Sequence, residues 1–233
     1  MGETFNPLGR FDPKAPINPG VLDKAKVLYR TLADVDVGGL TRIYLHWSAG
    51  AMSNCDSAYN VEALIANNNW ALKITHDPQD NVPGLNDNAE ASHTYKRNTG
   101  AVGIAITGMD GPGVNPHDFG EDPVTVMGLT HLCAAAAAVA AKYSISIAGV
   151  SSGEPYGNEP PILTHAEAAI RVGNPPQYEN YGVGPGGTNE RWDLASFAPL
   201  PPGVSMTPQM AYTCGNALRS VCRQYKVALL SGV

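Results

Sequence analysis

An α/β domain built on one mixed sheet is the fold this sequence predicts, on three observations. Two short apolar runs, Arg42-Ile43-Tyr44-Leu45-His46-Trp47-Ser48 and Ala101-Val102-Gly103-Ile104-Ala105-Ile106-Thr107, have the length and residue types of buried strands. Longer stretches with apolar residues at helical spacing lie between and beyond such runs. A chain of 233 residues in which strands and helices alternate fits a single α/β domain with a central mixed sheet flanked by helices.

Taken in order, residues 1–20 hold Pro7, Pro13, Pro16 and Pro19 without a periodic pattern and read as an extended arm. Leu22, Ala25, Leu28 and Leu32 recur at helical spacing, which predicts a helix over 21–35 that Gly38-Gly39 breaks. In the strand that follows, Ile43 and Leu45 face one way and Tyr44 and His46 the other. Residues 49–56 read as loop, and Ala58, Val61, Leu64 and Ile65 predict a helix over 58–67. A strand is expected over 70–76 before Asp77-Pro78 ends it, with loop up to Glu90. Gly103, inside the strand over 101–107, suggests a close backbone approach.

After a Gly- and Pro-rich loop over 108–122, Asp122-Pro123 reads as N-cap and first residue of a helix to about Tyr143. Its apolar stripe is Val126, Leu129, Leu132, Ala136, Val139 and Tyr143. Residues 151–161 and 173–189 read as loops, and Ile162-Leu163-Thr164-His165 as a short strand or strand end. Pro199 to Pro202 reads as a linker. Thr207-Pro208 starts a last helix to about Tyr225, striped by Met210, Cys214, Leu218 and Val221.

Composition narrows the function classes. The chain has a net charge of −6, a pI near 5.4 and no Lys/Arg run, which argues against nucleic-acid binding by phosphate neutralisation. The most apolar run, residues 132–141, is too short and alanine-rich for membrane insertion. The start, Met-Gly-Glu-Thr-Phe-Asn, lacks a basic segment followed by an apolar one, so synthesis in the cytoplasm without a signal peptide is expected. Four cysteines do not make a disulfide scaffold: Cys214 and Cys222 would lie about 12 Å apart along one helix. Neither a Gly-x-Ser-x-Gly nucleophile elbow nor a Walker A or dinucleotide fingerprint occurs.

The six histidines carry the chemistry. His46 ends a central strand, where clefts form, and a neutral imidazole there can bind a metal. No two histidines stand three or four residues apart, so a metal site must be assembled from separate segments. His46 and His165, each at a strand end, could supply two nitrogens and Asp193 an oxygen, which with an open water position would make a catalytic zinc shell; a satisfied core histidine is the alternative for His46. His93, in Ala91-Ser92-His93-Thr94, sits among small residues. His76, His117 and His131 lie at a strand end, in a loop and in the alanine-rich helix.

Four segments, in order, resemble the zinc-dependent N-acetylmuramoyl-L-alanine amidases, a family that includes phage endolysins and peptidoglycan recognition proteins. Leu45-His46-Trp47-Ser48-Ala49 is similar to the first ligand motif. Ala91-Ser92-His93-Thr94 with Asn98-Thr99-Gly100-Ala101-Val102-Gly103-Ile104 resembles the "SH…N…S-I-G-I" segment. Thr164-His165-Ala166-Glu167 resembles the second histidine ligand, and Glu190-Arg191-Trp192-Asp193-Leu194 the third-ligand segment. The resemblance covers about residues 40–197 and implies the amidase fold, a zinc ion (Zn2+) held by His46, His165 and Asp193, and hydrolysis of the amide between N-acetylmuramic acid and L-alanine in peptidoglycan.

The resemblance also implies roles. Arg191 holds a place where the family often has lysine, two before the third ligand, and would face the developing oxyanion; arginine keeps the charge but cannot donate a proton. No base is evident in Trp70-Ala71 or Ala105-Ile106-Thr107. Glu167 is therefore the proton-transfer candidate, sharing a face with His165 if the strand continues, or else a carboxylate with a supporting role only. His93 and Trp47 are candidates for substrate contact, with loop packing the alternative for His93. The expected organisation is an arm over 1–20, a catalytic domain over 21–200 and a helix over 201–233 packed on it, as a monomer. A phage endolysin that reaches the wall after release is the expected setting. Alternatives are an exported antibacterial amidase toxin, a cytosolic recycling enzyme or a peptidoglycan-binding module without activity.

Overall fold

The computed structural model describes residues 5–34, 39–54, 58–84, 90–94, 97–148, 161–170 and 191–232. Its strands β1 (Arg42–Trp47), β2 (Val61–Ala66), β3 (Asn69–Ile74), β4 (Ala101–Ile106) and β5 (Ile162–Thr164) form one sheet in the order β3-β2-β4-β1-β5. β1 runs parallel to β4 and β5, β2 runs parallel to β4, and β3 is antiparallel to β2. Helices α1 (Pro19–Thr31), α2 (Val126–Lys142), α3 (His165–Ile170) and α4 (Pro208–Ser231) complete a single α/β domain with a mixed, mostly parallel sheet.

Register divides the sheet into two faces. Ile43, Leu45 and Trp47 pair with Val102, Ile104 and Ile106, and Val61 with Ile104, so these side chains share one face and enter the main core. α2 covers that face. Residues 134 to 138 of α2 are all alanine and fully buried, which lets its backbone lie close to the strands. Gly128 brings it closer still, since a Cβ there would fall 2.3 Å from Ile106 Cδ1. α1 and α4 pack against α2 in the same layer.

Several local expectations change. The helix expected over 58–67 is instead strand β2. Its apolar residues satisfy both a helical and a strand reading, and pairing with β3 and β4 decides between them. Asn67 and Asn68, both at positive φ (50° and 61°), form the two-residue turn that joins β2 to β3.

The helix expected from Asp122 begins at Val126. Thr125 is its N-cap and accepts from Gly128 N, while the Asp122 carboxylate accepts from Met52 N at 3.0 Å. α1 begins two residues before the expected start, capped by Asn18, and α4 runs six residues past Tyr225. β5 stops at Thr164, so His165 opens α3 rather than closing a strand. Gly38, Cys55, and the loops expected over 151–161 and 173–189, apart from Pro161, lie outside the described residues.

The arm is tied down: Phe11 is buried against Phe197 with ring centroids 5.3 Å apart, and Phe197 N donates to Pro7 O at 2.7 Å. Among the described residues, no helix is long and apolar enough to cross a membrane.

Candidate metal centre

His46, His165 and Asp193 meet in a buried cluster, with one potential ligand atom from each lying within 4.8 Å of the others. Asp193 Oδ2 is 3.5 Å from His46 Nδ1 and 3.3 Å from His165 Nδ1. Two ligands held about 2.1 Å from a tetrahedral zinc would stand roughly 3.4 Å apart, so both separations suit such an ion. Two imidazole nitrogens and one carboxylate oxygen also suit zinc in their chemistry.

Three different backbone devices aim these side chains. His46 sits on the sheet face opposite Leu45 and Trp47, as alternation along β1 requires. His165 is the first residue of α3. Asp193 lies in a tight turn that Leu194 closes at φ 63°, a strained value for a non-glycine residue. The neighbouring Trp192 is buried against Trp47, with ring centroids 4.5 Å apart, and anchors this turn in the core. Ala166 N donates to Asp193 O at 3.2 Å and ties the last two ligands together through the backbone.

Burial governs the electrostatics. It pushes the His46 imidazole down to about 4, against the raising effect of Asp193, leaving the ring neutral and able to ligate near pH 7. Burial likewise holds His93 well below the ordinary histidine value, with His46 adding to the effect. For Asp193, burial alone would raise the carboxyl, but the hydrogen bond and charge of His165 together with contributions from His46 and Arg191 outweigh it, so it stays an anion.

A buried chain of hydrogen bonds supports His46 from behind. Its Nε2 lies 3.2 Å from Thr94 Oγ1, which lies 2.9 Å from His93 Nδ1. With Nδ1 turned to a cation, Nε2–H donates to Thr94, and the Thr94 hydroxyl can donate onward to His93. The loop bearing these residues hangs on buried asparagines. Asn60 bridges Gly103 N (2.8 Å) and Asn81 Oδ1 (2.9 Å), while Asn81 bonds the backbone of Ala91 and Asn98. The close approach suggested by Gly103 is real, since a Cβ there would fall 2.3 Å from the His93 ring.

The other expected site residues are distributed differently. Arg191 is half-buried, and its charge lowers the pKa of both His46 and Asp193, so it lies beside the cluster. Trp47 is buried at 4% exposure on the face away from His46, packed with Trp192 and Phe119 rather than lining the site. Glu167 does not share a strand face with His165, because α3 has already begun. Its two oxygens receive Arg219 at 2.7 Å each. His76, His117 and His131 lie elsewhere, beside Asp80, Leu200 O and Trp70.

One further buried carboxylate lies on the His46 face of the sheet. Glu62, fully buried, is in register with Ala105, which is in register with His46. The three side chains therefore leave the sheet on one face, with the Glu62 and His46 Cα atoms two strand spacings, roughly 10 Å, apart. Reading residues 58–67 as a helix hid this. The alternation Val61-Glu62-Ala63 before an Asn-Asn turn was the available signal. Compared with protein-family models, with curated protein sequences and with solved structures, the chain matches none.

Proposed function

We propose that this protein is a zinc-dependent N-acetylmuramoyl-L-alanine amidase. The observation that carries the reading is the convergence of His46, His165 and Asp193, drawn from three distant segments of a motif set that resembles that family. A zinc ion held by these residues supplies a Lewis acid that lowers the pKa of water and polarises a carbonyl.

The chain's own residues do the rest. Asp193 and the two imidazoles hold the cation in a buried site where electrostatic interactions are strong. Arg191 turns its charge toward the oxygen that becomes negative as the amide is attacked. Glu62, on the His46 face of the sheet, takes the proton of the attacking water and returns it to the leaving amine. This replaces Glu167 in that role, because the Glu167 carboxylate is already engaged by Arg219. His93, buried behind His46, supports that ligand through the Thr94 hydroxyl.

Three candidate ligands, with Glu62 on the same face of the sheet and the charge of Arg191 felt by the cluster, support catalysis over passive wall binding. The proposed setting remains a phage endolysin. Mass spectrometry of peptidoglycan treated with the purified protein tests the reaction. Free stem peptides beginning with L-alanine, and glycan strands stripped of peptide, are expected. New reducing sugar ends, or an unchanged polymer, would refute the amidase assignment.

A further inference from the structure

α4 lies outside the segments that resemble an amidase, yet it reaches Glu167, two residues from a candidate ligand. Arg219 Nη1 donates to Glu167 Oε2 at 2.7 Å and to Ile162 O at 3.0 Å. Its Nη2 donates to Glu167 Oε1 at 2.7 Å and to Asn216 Oδ1 at 2.9 Å. Both partners are buried, Arg219 at 1% exposure and Glu167 at 0%. Glu167 Oε2 also accepts from Thr164 N at 2.9 Å, while Glu167 N donates to Thr164 Oγ1 at 3.1 Å. Thr164 and Glu167 thus form a reciprocal capping box, and His165 is the first helical residue inside it. Gly215 allows α4 to press on this box, since a Cβ there would fall 2.2 Å from Glu167 Oε2.

We propose that Arg219 is a positioning residue for the metal centre, and that α4 is part of the machinery that aims His165. The proposal rests on the metal reading of His46, His165 and Asp193 but not on the identity of the substrate. A buried ion pair is a poor stabiliser, because the cost of removing two charges from water cancels much of their attraction. A two-pronged guanidinium does, however, fix the plane of the carboxylate it holds. Through Glu167 that plane sets the capping box, and the box sets where His165 leaves the backbone. Ala166, inside the same turn, carries the constraint to Asp193 through its 3.2 Å backbone hydrogen bond.

The test is zinc affinity of the full-length folded protein, measured by competition with a chromophoric chelator, alongside thermal melts of the metal-free form. Arg219→Lys keeps the charge but loses the fork. Gly215→Ala pushes on the carboxylate without touching a charge. The double variant Glu167→Met/Arg219→Met removes the pair without leaving a lone buried charge. Each is expected to weaken zinc binding by about 10-fold to 100-fold, as loss of a residue supporting a ligand does elsewhere. A purely structural role would lower the melting temperature and leave the zinc affinity of the folded protein unchanged. Should the double variant not fold, Arg219→Lys and Gly215→Ala decide by the same criterion. Wild-type protein that binds zinc while the folded variants stay within about threefold of it would overturn the clamp and leave the metal site standing. Wild-type protein that takes up no zinc would overturn both.

Discussion

The two faces of the sheet are made of alternate residues from the same strands, yet they follow different rules. Toward α2, Ile43, Leu45, Trp47, Val102, Ile104 and Ile106 meet a helix surface of alanines, and shape alone decides the packing. On the other face Tyr44, His46, Glu62, Gly103 and Ala105 share the sheet with His93 and Thr94. Buried polar groups there need partners, so each position depends on several others. The first face holds the fold together by burying apolar area. The second uses some of that stability to place polar groups at short range.

The sharpest way to break this contrast is at the ligands. His46→Ala or Asp193→Ala is expected to remove bound zinc and all measurable amidase activity while the secondary structure persists. Metal analysis and circular dichroism on the same samples check this, and retained zinc would remove that residue from the site. Glu62→Gln, nearly isosteric, is expected to keep zinc and lower kcat by about 10²–10⁴. A variant with wild-type kcat would return proton transfer to another group.

Leu45→Ala, one residue from His46 but on the α2 face, is expected to cost about 2–5 kcal/mol of stability. Its zinc stoichiometry should not change. Denaturant unfolding with parallel metal analysis reads both, and lost zinc in a folded Leu45→Ala protein would erase the distinction between the faces.

Arg191→Ala is expected to lower kcat about 10²–10³-fold with zinc and KM nearly unchanged, and Arg191→Lys to recover much of it. Steady-state kinetics on a muramyl peptide decides this. A loss within about threefold would make Arg191 structural, since that is under 1 kcal/mol.

A further effect concerns acid. In the metal-free protein His46 is held down to about 4 by burial, and His93 is also lowered, whereas an unfolded chain titrates its histidines near 6.5. Between those values the unfolded state binds more protons, so stability falls as pH drops from about 6.5 toward 4. Denaturant midpoints at a series of pH values measure the slope, which should persist in Leu45→Ala because that face does not titrate. A midpoint that rises on acidification contradicts the burial of neutral imidazoles.

Strands β1 and β4 were legible as short, β-branched and aromatic apolar runs, and helices α1, α2 and α4 because their apolar residues recur at helical spacing. β2 was not, since Val61, Leu64 and Ile65 fit a helix as well as a strand and only the neighbouring strands decide. At His165 the local pattern misled: Ile162-Leu163-Thr164-His165 reads as continuing strand, although Thr164 and Glu167 already carry the spacing of a capping box. His46, His165 and Asp193 could be proposed from residue type and segment order, and they do converge.

By itself, then, the sequence determined the fold class, the main elements and the three residues able to hold a metal. These follow from periodicity and side-chain chemistry, which are local properties of the chain. Only the tertiary structure decided that Trp47 belongs to the core, that Glu62 shares a face with His46, and that Glu167 is held by Arg219. Each of those depends on which side of a strand or helix turns toward a distant segment. That is set by register and packing between elements, where shifting a strand by one residue exchanges its two faces.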